Sequence, residues 1–215
     1  MEIDKKELPL IIFIILIFAA SVYLYPKMPE RMPVHWNSAG EIDGYGGRFA
    51  GLFLIPLFLA GIYLLFLFLP KIMVYKENFE KFKGYFYGFK VVFILFFSAI
   101  YIAMLLPNFR IIINMVYIMI PSLSVFLFYI GYMLKFAKRN YFIGIRTPWT
   151  LASEDVWNKT HRLGSKLFKL SALVMLSSIF FPEQFVWFII APLLSVIVIL
   201  FVYSYVQYQK EGDKK

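Results

Sequence analysis

This chain of 215 residues has no cysteine. Disulfides, thiolate metal sites and cysteine nucleophiles are therefore excluded, and the compartment is left open. Acidic residues are scarce: 13 Asp and Glu stand against 22 Lys and Arg, for a net charge of +9. Imidazole chemistry is limited to His35 and His161. There is neither a Gly-rich phosphate loop nor a nucleophile elbow, so two familiar signatures of phosphoryl and acyl transfer are missing.

What the chain has in excess is apolar surface, with 61% hydrophobic and 20% aromatic residues. Six runs approach or exceed the ~20 apolar residues that cross a bilayer: Leu8–Tyr25, Phe49–Leu69, Val91–Leu106, Ile111–Leu134, Leu167–Phe181 and Phe185–Val206. The third and fifth are short and are expected to start earlier, with Lys90 and Lys169 snorkelling to the interface. Nothing alternates as barrel strands do, and a backbone in lipid must satisfy its own hydrogen bonds, so the runs are expected to be helices. The fold class expected is an all-α integral membrane protein, a six-helix transmembrane bundle in the cell membrane. Of the 22 Lys and Arg, only Lys27, Arg31, Arg48 and Arg110 fall on alternate connections, leaving 18 on the others. That asymmetry places both termini in the cytoplasm. The basic charge then reflects topology and anionic inner-leaflet lipid, and calls for no nucleic-acid partner. Lys5 and Lys6 ahead of the first run imitate a signal peptide, but the run has spanning length and lacks a small-x-small cleavage site, so a retained helix is expected. No run contains Asp, Glu, Arg or His, which argues against a proton-coupled transporter.

Two parts are expected. Residues 1–90 form an N-terminal hairpin with a polar loop and a basic, aromatic interfacial segment. Residues 91–215 form a four-helix part carrying the polar stretch 140–166. In the first loop, Pro26 to Arg48, prolines stiffen one half and glycines loosen the other, so a compact looped structure is expected. Phe79, Phe82, Phe86 and Phe89 recur at helical spacing beside lysines, the pattern of an amphipathic surface anchor. The last hairpin is expected to turn at Pro182-Glu183-Gln184.

The longest polar run, Asn140 to Lys166, is the principal functional candidate. Gly144 and Thr147-Pro148 predict an irregular turn. Ser153 reads as an N-cap, with Glu154 and Asp155 in the first helical turn. Gly164 reads as a stop or hinge, with a helix that runs on into the next apolar run as the alternative, and Asp155 and Lys159 have the favourable order for a surface pair. Glu154, Trp157 and His161 share one face, whereas Val156, Thr160 and Leu163 share a side expected to meet protein or lipid. Glu154 and His161 lie two turns apart, on the order of 10 Å, too far for a direct acid–base couple. If the first face closes on the turn, Arg146 is expected to pair with Glu154 or a helix-end carbonyl, and the motif is a structural clamp. If it stays open, Arg146, Trp149, Glu154, Trp157, His161 and Arg162 form a docking surface. An enzyme could use His161 as a base and the arginines for a phosphate. The plain alternative is an interfacial helix with its tryptophans at headgroup depth.

The first loop offers His35, Asn37, Glu41 and Asp43. A metal site is conceivable at His35, but the spacing matches no strong ligand pattern. A loop tied by its own hydrogen bonds is the second reading. Ligand recognition is the third, with Trp36 and Tyr45 supplying contact area.

The two polar stretches carry a resemblance. NYFIGIRTPWTLASEDVWNKTHRLG resembles the hallmark of the Sdp immunity protein family of bacterial and archaeal membrane proteins. MPERMPVHWNSAGEIDGYGGR looks like the loop of a domain of unknown function that often precedes it. Asn140, Gly144, Arg146, Thr147, Pro148, Trp149, Trp157, Thr160, His161 and Arg162 carry the first pattern, and His35, Trp36, Asn37, Gly40 and Asp43 the second. The resemblance implies a non-enzymatic membrane immunity or sensor protein. Its expected partners are membrane lipid, a secreted peptide toxin outside and a small repressor inside. It implies no catalytic residue, cofactor or metal. The other class left open is a membrane enzyme with its site at His161 and Arg146, or at His35.

Overall fold

The computed structural model of the chain describes residues 4–181 and 183–212. Of the expected Pro182-Glu183-Gln184 turn, Pro182 therefore lies outside the described residues. In chain order the elements are α1 (Leu8–Leu24), β1 (Arg31–Trp36), β2 (Ile42–Gly47), α2 (Arg48–Ile72), α3 (Lys76–Glu80), α4 (Lys83–Leu105), α5 (Val116–Leu134), α6 (Pro148–Ala152), α7 (Glu154–Ser177) and α8 (Phe185–Gly212). Among these, α1, α2, α4, α5, α7 and α8 lie in the six stretches long and apolar enough to cross a membrane. The membrane class and the count of six spans hold. Ile12, Leu16, Leu64, Leu95 and Ile197 are each more than half exposed. Such rows of exposed aliphatics suit a solvent of lipid tails.

The third and fifth spans do begin earlier than their apolar runs, at Lys83 and Glu154. The fourth begins later than expected, because Asn114 interrupts it. The Asn114 Oδ1 accepts the Val116 N–H at 2.9 Å, and a side chain that caps a first-turn amide starts the helix there. Ile111, Ile112 and Ile113 stay outside the helix and exposed.

The chain divides into two compact units. One runs up to Leu67 and adds Phe93–Ser122; the other takes Phe68–Val92 and the described residues from Leu123 onward. In the first unit the expected loop is a two-stranded antiparallel hairpin, β1 against β2, with Arg31 opposite Gly47 and Trp36 opposite Ile42. Arg48 N–H donates to Glu30 O at 2.9 Å and closes its base. Met32 is fully buried with Met28, Leu52, Tyr101 and Leu105, so the hairpin is anchored through one strand. Ser21 and Tyr101 hydroxyls meet at 2.7 Å inside this unit.

In the second unit, Phe79, Phe82 and Phe86 are buried. Phe79 meets Phe82 and Phe86 edge-on at 5.4 and 5.6 Å. The aromatic row thus packs into protein, where a row of phenyl faces on a surface anchor would face lipid. The break between α3 and α4 turns it inward. Leu127, Ala172 and Met175 form a further core cluster, with Phe168, Ile189 and Leu193 packed on it.

Candidate functional site

The 140–166 stretch is built from its turn outward. Asn140 is 1% exposed. Its Oδ1 accepts from Phe142 N and Ile143 N at 2.8 and 2.7 Å, and its Nδ2 donates to Lys138 O and Ile143 O at 2.8 and 2.9 Å. A buried amide with all its capacity used fixes the backbone around it. Gly144 follows at φ +120°, and a Cβ there would lie 2.4 Å from His161 Nε2 and 3.1 Å from the Trp157 ring. Only glycine combines that conformation with that approach.

The stretch up to Thr147 is the irregular turn expected, with Thr147 extended, and Pro148 then opens a short helix, α6. Thr147 accepts from Thr150 N at 3.2 Å while Thr147 N donates to Thr150 Oγ1 at 2.9 Å. Proline in the first turn gives up an amide that would be unpaired anyway. Ser153 caps α7 as expected, accepting from Val156 N at 3.3 Å. Asp155 and Lys159 pair at 2.6 Å on its exposed face. α7 then runs straight through Gly164, which is buried beside Ile145 and Leu200 rather than ending the helix.

The two candidate faces of α7 merge into one buried stripe. Val156, Trp157 and Thr160 have no exposed surface, and His161 has 2%. Trp157 and His161 stack at 4.0 Å and 17°, and Trp157 Nε1 donates to Ala137 O at 2.9 Å. His161 Nε2 accepts from Ile145 N at 3.0 Å. Its other nitrogen, Nδ1, lies 2.8 Å from Trp157 O. A carbonyl can only accept, so the ring is the neutral tautomer with its proton on Nδ1. Both nitrogens are committed to backbone partners, and neither is left for a substrate. Of the expected face, Trp157 and His161 close onto the turn and Glu154 does not: it is exposed.

Arg146 also departs from expectation. It pairs with neither Glu154 nor a helix end, but donates through Nη1 to the loop carbonyl of Tyr141 at 2.6 Å, on the surface. Trp149 is half-buried against Phe201 and Tyr205 of α8, at 5.0 and 5.1 Å. Arg162 is exposed. The clamp is therefore Asn140, Gly144, Thr147, Trp157 and His161, with Arg146, Glu154 and Arg162 left on its rim.

Sequence reasoning missed several partners. Thr147 Oγ1 donates to Ser204 Oγ at 3.0 Å, and Ser153 Oγ donates to Glu211 Oε2 at 2.5 Å, both on α8. Asn78 Nδ2 donates to Arg139 O at 2.9 Å, and Arg139 lies 5.5 Å over the Tyr75 ring. Tyr75 in turn stacks on Tyr141 at 5.4 Å; its hydrogen bond holds the Tyr141 phenol above its ordinary range. No local pattern announces these contacts, because each joins segments distant in sequence.

The hairpin is organised differently. Asn37 Oδ1 accepts from Ala39 N and Glu41 N at 2.8 and 3.0 Å, and its Nδ2 donates to Glu41 Oε2 at 3.2 Å. Gly40 sits at φ +75° directly against Asn114. Asn114 Nδ2 donates to Ala39 O at 2.7 Å, and Met115 N to Gly40 O at 3.2 Å, so the tip is pinned to the start of α5. Trp36 is half-buried beside Ala103, Met104 and Met115. His35 Nδ1 donates to Asp43 Oδ1 at 2.5 Å, with both side chains largely open to solvent at 69% and 42%. Among the described residues no three His, Asp or Glu converge as metal ligands, so His35 and Asp43 form a pair without a third member. Glu41 and Tyr45 are exposed beside them.

Residues 137–204 match the SdpI/YfhL protein family, and residues 12–60 match a domain of unknown function (DUF1648). The chain is 28% identical over 207 residues to the immunity protein SdpI of Bacillus subtilis (strain 168), covering 96% of this chain and 97% of that one. No solved structure matches. The resemblance first read from two polar stretches thus extends along nearly the whole chain. With its six spans, the chain is a multi-pass protein of the cell membrane.

Proposed function

We propose that the protein is a membrane immunity and sensor protein, which gives its cell resistance to a secreted toxic peptide and signals by holding a small cytoplasmic repressor. The observation that carries this reading is the end-to-end similarity to a protein named as an immunity protein. The geometry supports the recognition half. His35, Glu41, Asp43 and Tyr45 stand exposed on a hairpin whose tip and base are both hydrogen-bonded in place. A fixed frame with exposed polar and aromatic groups binds at low ordering cost. In this reading both termini are cytoplasmic, the hairpin is outside, and Arg146, Glu154 and Arg162 face the cytoplasmic partner. Trp157 and His161 act on that partner only by holding the rim in shape.

The experiment is a survival assay in a sensitive bacterium that lacks its own immunity protein, challenged with the purified secreted peptide. Expression of this chain is expected to restore growth. His35→Ala with Asp43→Ala is expected to abolish protection at an unchanged level of protein in the membrane. Protection undiminished in that variant would remove the hairpin from recognition. Since the chain has no cysteine, Ser38→Cys reports orientation cleanly, and labelling from the cytoplasmic side alone would overturn the topology.

A further inference from the structure

Between the end of α5 and the first turns of α7 lies a cleft of about 440 Å³ lined by Lys135, Lys138, Asp155, Asn158, Lys159 and Arg162. Four cations face one carboxylate there. Asp155 is taken by Lys159 at 2.6 Å. Lys135, Lys138 and Arg162 have no carboxylate partner among the described residues. Part of this has a plain cause, since Lys135 follows the last residue of α5, where a helix end favours a cation. That cause does not reach Lys138 or Arg162. Lys138 is held by a backbone whose carbonyl accepts from the buried Asn140. Arg162 projects from α7 beside His161, whose ring is locked by two backbone partners. The clamp thus fixes the positive charges close together without neutralising them, an arrangement that favours an anion. Asn158 adds an amide donor to the same wall. Lys135 adjoins the end of one helix long and apolar enough to cross a membrane, and Lys159 and Arg162 lie in the first three turns of another; cations at the ends of such helices reach the headgroup layer.

We propose that this cleft is a binding site for a phosphate group, presented by the headgroup of an anionic membrane lipid or by a soluble phosphate compound. Lys138 and Arg162 are its principal ligands: Arg162 meets two phosphate oxygens side by side, and Lys138 acts as a point charge. The inference is independent of the immunity reading, and the experiment uses no toxin and no repressor.

The full chain in neutral detergent is titrated with dioctanoyl phosphatidic acid, dioctanoyl phosphatidylcholine and inorganic phosphate, and bound lipid is read by native mass spectrometry. Phosphatidic acid is expected to bind about tenfold or more tighter than phosphatidylcholine. Lys138→Gln with Arg162→Gln is expected to erase that preference, while Lys71→Gln with Lys76→Gln, outside the cleft, leaves it intact. Displacement of the lipid by millimolar inorganic phosphate would assign the site to a soluble compound, and its persistence would assign it to a headgroup. No preference in the parent protein overturns the proposal, as does a preference that survives the cleft variant or is lost equally in the control. If the double variant does not fold, Arg162→Gln alone must weaken phosphatidic acid binding at least about threefold, and unchanged binding overturns the proposal.

Discussion

The hairpin and the clamp are both dense in polar and aromatic residues, yet they use them in opposite ways. In the clamp the motif residues are inside. Asn140, Thr150, Trp157, Thr160 and His161 are almost wholly buried, and their polar atoms are spent on backbone groups, Thr160 Oγ1 excepted. In the hairpin two motif residues, His35 and Asp43, are outside, while Trp36 is half-buried and Gly40 buried. Its burial comes from Met32 below the strands and Gly40 against Asn114, while His35 and Asp43 pair with each other and remain exposed. A recognisable motif can therefore specify a shape or present a surface, and only burial and hydrogen bonding tell which. The clamp specifies a shape whose rim is Arg146, Glu154 and Arg162; the hairpin presents a surface.

The sharpest way to break this contrast is to empty the clamp. Trp157→Ala removes a fully buried ring and the donor to Ala137 O, and is expected to cost about 3–5 kcal/mol. It should be seen as loss of monodisperse protein in detergent. A variant that purifies and melts like the parent would show that the stretch is not a scaffold.

A finer test keeps the volume and removes one acceptor. His161→Phe preserves the stacked ring but leaves the Ile145 N–H without a partner, at a cost of roughly 1–3 kcal/mol. The melting temperature should fall below that of the parent in the same detergent, while the protein still purifies as a folded species. A variant that melts together with the parent would contradict this account of the ring.

How much of this could be read from the chain itself follows the range of the interactions. The apolar runs and the Ser153 cap are local, and they appear where the sequence places them, except that the fourth helix starts only after Asn114. The Asp155–Lys159 pair is one turn long and equally legible. The hairpin was not legible, because Pro33, Gly44, Gly46 and Gly47 are poor strand residues and its pairing leans on Asn114, 75 residues from Ala39. The helical period correctly grouped Trp157 with His161. It could not say that Gly144 would let the backbone come close enough to cover them, nor that Glu154, one turn earlier, would fall outside the cover. Ser204 and Glu211 lie in an apolar helix and a charged tail, and nothing nearby marks them as partners of Thr147 and Ser153.

A smaller effect sharpens the hairpin side. Asn114→Ala removes the bond to Ala39 O and the cap on Val116, and is expected to cost about 1 kcal/mol. The loss should be local: faster amide exchange at Ala39, Glu41 and the first turn of α5, with the exchange of Trp157 and His161 amides unchanged. Equal acceleration in both regions would mean that the two are not separately stabilised.

The most direct test of the division between scaffold and rim is the melting temperature of Arg146→Ala, Glu154→Ala and Arg162→Ala combined, measured beside His161→Phe in the same detergent. All three rim residues are exposed, so the substitutions, each small and of either sign, are expected to leave the triple variant within about 0.5 kcal/mol of the parent in total and melting above His161→Phe. A triple variant that melts as low as His161→Phe would place the rim inside the structural clamp and contradict the account.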